Sequence, residues 1–245
     1  MEANKSKISE YLDSLQAKLS NRKVITKPVS YISNYPIALG QCFYVLDFKS
    51  KKVSFQKGIK EFLGYEPHEF TFELASSYFH PDDFDMVERL MRATLMFASE
   101  NNVSKDVAFF LTYRIRKKDN TYVKVLRQST TYDLDEEGKI ISNLSMISDI
   151  SFLNTANKVE WKFDAPGLDK EEFRKYVTKE YKGFFSDRET EIILLVDKGW
   201  SSKQIAEKLF LSKHTVDTHR RKILNKAHCK NAVELINFCK HNGII

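Results

Sequence analysis

The chain has 245 residues, of which 42% are hydrophobic and 29% charged, with a formal net charge of +6. That size and apolar content suit two modest globular domains, so disorder is not the default, while the positive balance means little until it is located on a surface. Three cysteines, Cys42, Cys229 and Cys239, form no C-x-x-C pair; an odd count fits neither a disulfide framework nor a zinc site and points to a reducing cytoplasm. The charged start, and the lack of any run of roughly 18 apolar residues, predict a cytoplasmic protein without a secretion signal or membrane contact.

Residues 1–37 read as a helical extension in which Ile8, Leu12, Leu15 and Leu19 form one apolar stripe, with Tyr11 beside it. Such a stripe needs a partner, either the chain's own next domain or a second copy. From Gly40, CFYVLDF (42–48) and KKVSF (51–55) read as strands, and GIKEFLGY as a short helix closed by Gly64. HPDDFD (80–85) places Pro81 and acidic side chains at a helix start, predicting a helix to about Phe97 that buries Leu90, Ala93, Thr94 and Phe97. Three longer strands follow at 106–117, 121–133 and 139–150, joined by KDN and DEEG turns; in the first, Phe109, Leu111, Tyr113 and Ile115 alternate with Phe110, Thr112, Arg114 and Arg116.

This order, with FLGY (62–65), FHPDD (79–83), YRIRKKDNTYVKV (113–125) and SDIS (148–151), resembles a PAS sensor domain over residues 38–152. Two positions depart from that pattern. Asn120 stands where the hairpin usually has glycine, a replacement that a left-handed turn tolerates, and Lys124 stands where an aromatic is common. The resemblance implies a pocket between sheet and helices that holds a haem, a flavin, a small molecule or nothing, or a domain that serves for dimerisation. No cofactor is evident, and a small-molecule ligand remains open. No N-C-R-F-L-Q-like flavin motif occurs, and His80, the one tempting haem ligand, reads better as a helix start. Phe43, Tyr44, Phe55, Phe62, Phe79 and Phe110 read as core before pocket lining.

Residues 153–182 read as a linker, broken at Pro166 and Gly167 and closed by a charged helix from about Asp169 to Lys182. In residues 183–245, Ser186 and Glu189 have capping-box spacing, as do Ser201 and Gln204, and Ser212 opens a third helix directly after a short break. At 100° per residue that helix turns Val216, Ile223 and Ala227 inward and His214, Thr218, Arg221 and Asn225 outward. Lys213, Arg220, Arg221, Lys222, Lys226 and Lys230 face a single acid, Asp217. A fourth helix carries Ala232, Leu235, Ile236 and Cys239.

Two short helices joined by a tight turn are a helix-turn-helix, whose second helix can enter a major groove. FSDRETEIILLVDKGWSSKQIAEKLFLSKHTVDTHRRKIL (184–224) resembles the LuxR-type family almost continuously. That family implies a DNA-bound dimer in which the third helix reads the groove and the fourth often makes the dimer contact. Ser212, Thr215, Val216 and His219 match its frame, and Thr218 and Arg221 occupy positions it points at DNA. The expected fold class is thus α+β, a PAS-like antiparallel sheet with short helices followed by an all-α four-helix LuxR-type domain. The expected DNA-binding residues are Lys213, His214, Thr215, Thr218, His219, Arg220, Arg221, Lys222, Asn225 and Lys226, with His219 mainly packing. Asp217, where lysine is frequent, is expected to accept from a cytosine or to orient Arg221.

Catalysis has no visible seat, since no G-x-x-x-x-G-K-[ST], G-x-S-x-G or H-E-x-x-H motif occurs. Nor is a metal site or a phosphoacceptor receiver evident. The partners expected are double-stranded DNA, a second copy of the chain and, for an activator, RNA polymerase.

Overall fold

A computed structural model describes residues 6–25, 30–101, 107–153, 158–164 and 170–245, which leaves Asp106, Pro166, Gly167 and Asp169 outside the described residues. Two compact units emerge, Met1–Lys170 and Glu171–Ile245.

In the first unit, α1 (Lys7–Leu19) is followed by β1 (Val24–Ile25), α2 (Ser30–Ser33), β2 (Gln41–Asp47) and β3 (Lys52–Lys57). Three helices come next, α3 (Ile59–Leu63), α4 (Phe72–Ala75) and α5 (Pro81–Glu100). The chain then returns as β4 (Ala108–Arg116), β5 (Tyr122–Thr131), β6 (Leu134–Asp135), β7 (Ser142–Asp149) and β8 (Glu160–Asp164). The main sheet runs β3-β2-β7-β5-β4-β8, with every neighbouring pair antiparallel. Register sets Tyr44 and Leu46, Asn143, Ser145 and Ile147, Val125, Arg127 and Ser129, and Phe109, Leu111 and Tyr113 on one face. The alternation read from the sequence of β4 is this face.

Asn120 takes φ +65° in the β4–β5 hairpin, the left-handed conformation that Asn accommodates better than most residues. Lys124 is buried on the other face of the sheet, and burial lowers its pKa. His80 caps α5: its Nδ1 accepts from the Asp82 N–H at 3.1 Å and its Nε2 lies 3.4 Å from Arg114 Nη1, so both ring nitrogens are engaged. Of the six aromatics expected in the core, Phe43, Tyr44, Phe62 and Phe79 are buried, whereas Phe55 and Phe110 are half-buried.

The stripe of α1 finds its partner within its own unit. Ile8, Leu12, Leu15 and Leu19 are all buried. The helix is tied down by Ile8 N–H donating to Glu88 at 3.0 Å, by Tyr11 Oη to Ser99 Oγ at 3.0 Å and by Lys51 to Asp13 at 2.6 Å. A second copy is not needed to cover it.

Within the stretch 153–182, read as a linker with a helix, the described residues 160–164 form a strand. Val159, Trp161 and Phe163 alternate with charged residues, and Glu160–Asp164 adds to the open edge of β4 as the sixth strand of the sheet. Phe163 meets Phe97 of α5 edge-on at 5.4 Å. Five residues are too short a run to stand out beside the Pro166–Gly167 break, and it is the unpaired edge of β4 that recruits them.

The second unit contains α6 (Lys170–Tyr181), α7 (Asp187–Asp197), α8 (Ser202–Leu209), α9 (Lys213–Lys226) and α10 (Ala232–His241). The helix assigned to the linker therefore packs as a fifth member of the helical unit. Phe173, Val177 and Tyr181 are buried, and Tyr181 lies 5.4 Å from Phe184 and 5.9 Å from Phe238. At Gly243, which has φ +66°, a Cβ would sit 2.1 Å from Thr178 Oγ1, so the end of the chain closes directly onto α6.

A polypeptide of residues 170–245 is accordingly expected to melt cooperatively, whereas one of residues 183–245, stripped of three buried side chains from α6, loses several kcal/mol at about 2–4 per large apolar group. Circular dichroism melts of the two fragments check this; equal midpoints would show that α6 is not part of the unit.

Candidate nucleic-acid interface

The helical unit is punctuated by side chains that close each helix end. Ser186 Oγ accepts from the Glu189 N–H at 3.3 Å while Glu189 accepts from the Ser186 N–H at 2.9 Å. Ser201 and Gln204 repeat the reciprocal pair on α8. After Leu209, Phe210 turns left-handed at φ +54° and is 96% exposed, and Leu211 N–H returns to the Ala206 carbonyl at 2.9 Å. Ser212 then caps α9, accepting from the Thr215 N–H at 3.0 Å and sharing a 2.8 Å hydroxyl contact with Thr215. Three residues thus turn the chain from α8 into α9. A bulky residue in that conformation costs about 1 kcal/mol, a feature with no signature in composition or periodicity.

On α9, Val216, Ile223 and Ala227 are buried, facing α7 and α8. The remaining side chains divide by what they touch. Arg220 donates to Ser202 Oγ at 3.1 Å. Lys213 pairs with Asp217 at 3.2 Å. Lys226 pairs with Glu189 at 3.4 Å and stands over the rings of Phe184 and Phe185 at 5.5 and 5.6 Å. These three cations, and Thr215 at the cap, are engaged in holding α9 to α7 and α8 or in fixing its first turn.

By contrast, the side chains of His214, Thr218, Arg221, Lys222 and Asn225 have no hydrogen-bond or ion-pair partner among the described residues, and all but Thr218 are exposed. His219 is half-buried and likewise unpaired. Asp217 is held below the usual carboxylate range by the Ser202 hydroxyl and then by Lys213. It orders the start of α9 beside Arg220, and Arg221 is not its partner.

Cys229 and Cys239 are both buried, and burial raises the Cys239 thiol to about 12, so it stays protonated at neutral pH. Among the described residues no group of three His, Cys, Asp or Glu side chains could hold a metal ion. Nor is any helix there long and apolar enough to cross a membrane.

Residues 184–239 match the bacterial regulatory proteins of the luxR family, and residues 52–147 match the PAS fold. Oxygen regulatory protein NreC of Staphylococcus carnosus is 45% identical over 53 residues, 22% of this chain and 24% of its own. The virulence factors putative positive transcription regulator BvgA of Bordetella pertussis is 39% identical over 59 residues, 24% of this chain and 28% of its own. The chain therefore spans about a quarter of the length of the curated relatives it matches. Among solved structures, the VqmA dimer of Vibrio cholerae aligns over 88% of this chain and 86% of its own at 15% identity and TM-score 0.38.

Burial works to raise the Glu189 carboxyl, but the Ser186 N–H and the charge of Lys226 outweigh it and hold the group below the ordinary carboxylate range. A lowered carboxylate contributes stability above its unfolded pKa and loses it as pH falls through the folded one. Lys226→Met is thus expected to cost about 1 kcal/mol at pH 7, the upper end for so exposed a lysine. The gap to the parent should narrow below about pH 4. Chemical denaturation at pH 7 and pH 3.5 reads this directly, and a gap that stays constant would assign the loss to ring contacts alone.

Proposed function

We propose that this chain, in which a PAS fold at 52–147 precedes a luxR-family domain at 184–239, is a one-component regulator that binds specific double-stranded DNA as a homodimer and controls transcription. The observation that carries the reading is the division on α9. Its apolar side and three of its cations are occupied internally, and one row of hydrogen-bonding side chains is left without protein partners. A row of that kind is what a major groove requires, whereas a protein-binding helix would carry apolar or aromatic anchors in it.

In this reading His214, Thr218, Arg221 and Asn225 face base edges, and Arg221 suits the paired acceptors of a guanine. Lys222 meets phosphate, while Lys213, Arg220, Lys226, His219 and Thr215 add field and position to the backbone contacts. The chain works in the cytoplasm without catalysis, and the PAS fold supplies the signal or the dimer contact. As an activator it would also meet RNA polymerase.

Arg221→Ala is expected to reduce the preference for operator over random DNA by roughly tenfold or more, at about 1–3 kcal/mol for a bidentate base contact. Lys222→Ala should weaken both DNAs alike and lower the slope of log affinity against log salt by about 1. Fluorescence anisotropy across a salt series separates the two, and equal losses of preference in both variants would overturn the division of labour.

A further inference from the structure

The covered face of the PAS-fold sheet holds a positive charge that its protein neighbours do not balance. Arg127, on β5, is 5% exposed. Its Nε and Nη2 both donate to Ser145 Oγ, at 3.1 and 2.9 Å, and its Nη1 lies 3.6 Å from Met91 Sδ. These acceptors are neutral, and one hydroxyl serves two N–H groups. Among the described residues no carboxylate stands within ion-pair distance of this guanidinium.

Two other arginines of the unit with little exposed side chain are treated differently. Arg114 lies against Asp83 at 2.6 Å, and Arg92 against Glu88 at 3.2 Å. A guanidinium taken from water without a counter-charge is a standing cost to the fold, which a purely structural role would relieve with a carboxylate or a hydrophobic replacement. Arg127 instead lines a cavity of about 40 Å³. Its polar wall also includes Thr94, Ser129 and Asn143, and its apolar wall Leu12, Leu46 and Leu95. Asn143 Nδ2 donates to Ser145 at 3.0 Å, while its buried Oδ1 has no hydrogen-bond partner.

We propose that this cavity binds a short-chain carboxylate bearing one further hydrogen-bond donor, such as an α-hydroxy acid of two or three carbons. The carboxylate would accept from the guanidinium and restore charge balance, the ligand hydroxyl would donate to Asn143 Oδ1, and the small alkyl part would lie against the leucines. The cavity has room for about three water-sized spheres, which restricts the ligand to the smallest acids. A tetrahedral oxyanion would need more donors than one guanidinium and neighbouring hydroxyls provide, and chloride would leave Asn143 unanswered. Leu12 belongs to α1, so the helix that completes the cavity wall is the one that docks from the N-terminal side. The inference rests on unit 1 being the sensing half, and its test reads ligand binding apart from DNA binding.

The experiment uses the full chain at constant ionic strength, with glycolate, lactate, acetate, lactamide, phosphate and chloride as probes in thermal melts and calorimetry. Glycolate or lactate at a hundredfold excess over Kd should raise the midpoint of the first unit by about 5 °C. Acetate should bind at least tenfold more weakly, and lactamide, phosphate and chloride should have no effect. Arg127→Met should abolish the shift yet melt at or above the ligand-free parent, because an uncompensated charge is gone. Asn143→Ala should erase the preference for hydroxy acid over acetate, and it tests the site even if Arg127→Met misfolds. The proposal is overturned if no hydroxy acid shifts the midpoint, if the shift survives Arg127→Met, or if phosphate or chloride acts equally well. Failure of the ligand-free protein to select any DNA would count against the regulator reading and leave the binding result intact.

Discussion

The hold of α7 and α8 on the apolar side of α9 is the contact on which the candidate interface depends. Once Val216 and Ile223 are buried, the helical period leaves no freedom in which side chains face outward. Cap residues fix the axial position in the same way. Ser186, Ser201 and Ser212 start their helices at defined points, so the burial of two aliphatic side chains places Arg221 and Asn225 to within a fraction of a turn. Rigidity of this kind is what base recognition needs, because a bidentate contact tolerates little displacement.

The same economy explains why the basic character of α9 cannot be read as a uniform DNA-facing charge. Lys226 rests over two phenylalanine rings and against the capping carboxylate of α7, and Arg220 reaches back to the first turn of α8. Both keep their charge near the surface and both act as braces, so the positive field around α9 and its mechanical support come partly from the same side chains. Asp217 fits this picture. A carboxylate that would be unhelpful beside phosphate becomes useful when it orders Lys213 in the first turn of α9 and the Ser202 hydroxyl in the first turn of α8.

How much of this was legible in the sequence follows from the range of the forces involved. Capping boxes, the inward stripe of α9 and the alternation of β4 are local patterns, and each appears in the structure where the residues placed it. The destination of the α1 stripe was not legible, because an amphipathic helix specifies that it has a partner and not which one. Strand β8 and the membership of α6 were missed for a related reason: a sheet edge and a hydrophobic groove, both made by distant residues, decide their structure, and the flanking Pro166–Gly167 break gave the whole stretch the look of a connector. Nor could spacing reveal which cations of α9 are occupied, since Glu189 lies 37 residues from Lys226.

Arg127 shows the limit from the other side. In the sequence it is one of many basic residues on a strand, and its alternation with Leu126 and Gln128 would suit a solvent-facing position. Register places it instead opposite Leu111 and Ile147, on the covered face, where Tyr44, Tyr78 and Tyr113 are themselves fully buried and burial drives the Tyr78 and Tyr113 phenols far above their ordinary range. Those phenols stay protonated at any physiological pH and supply dipoles without a counter-charge. An interior that surrounds a guanidinium with neutral groups has its strongest unsatisfied attraction for an anion.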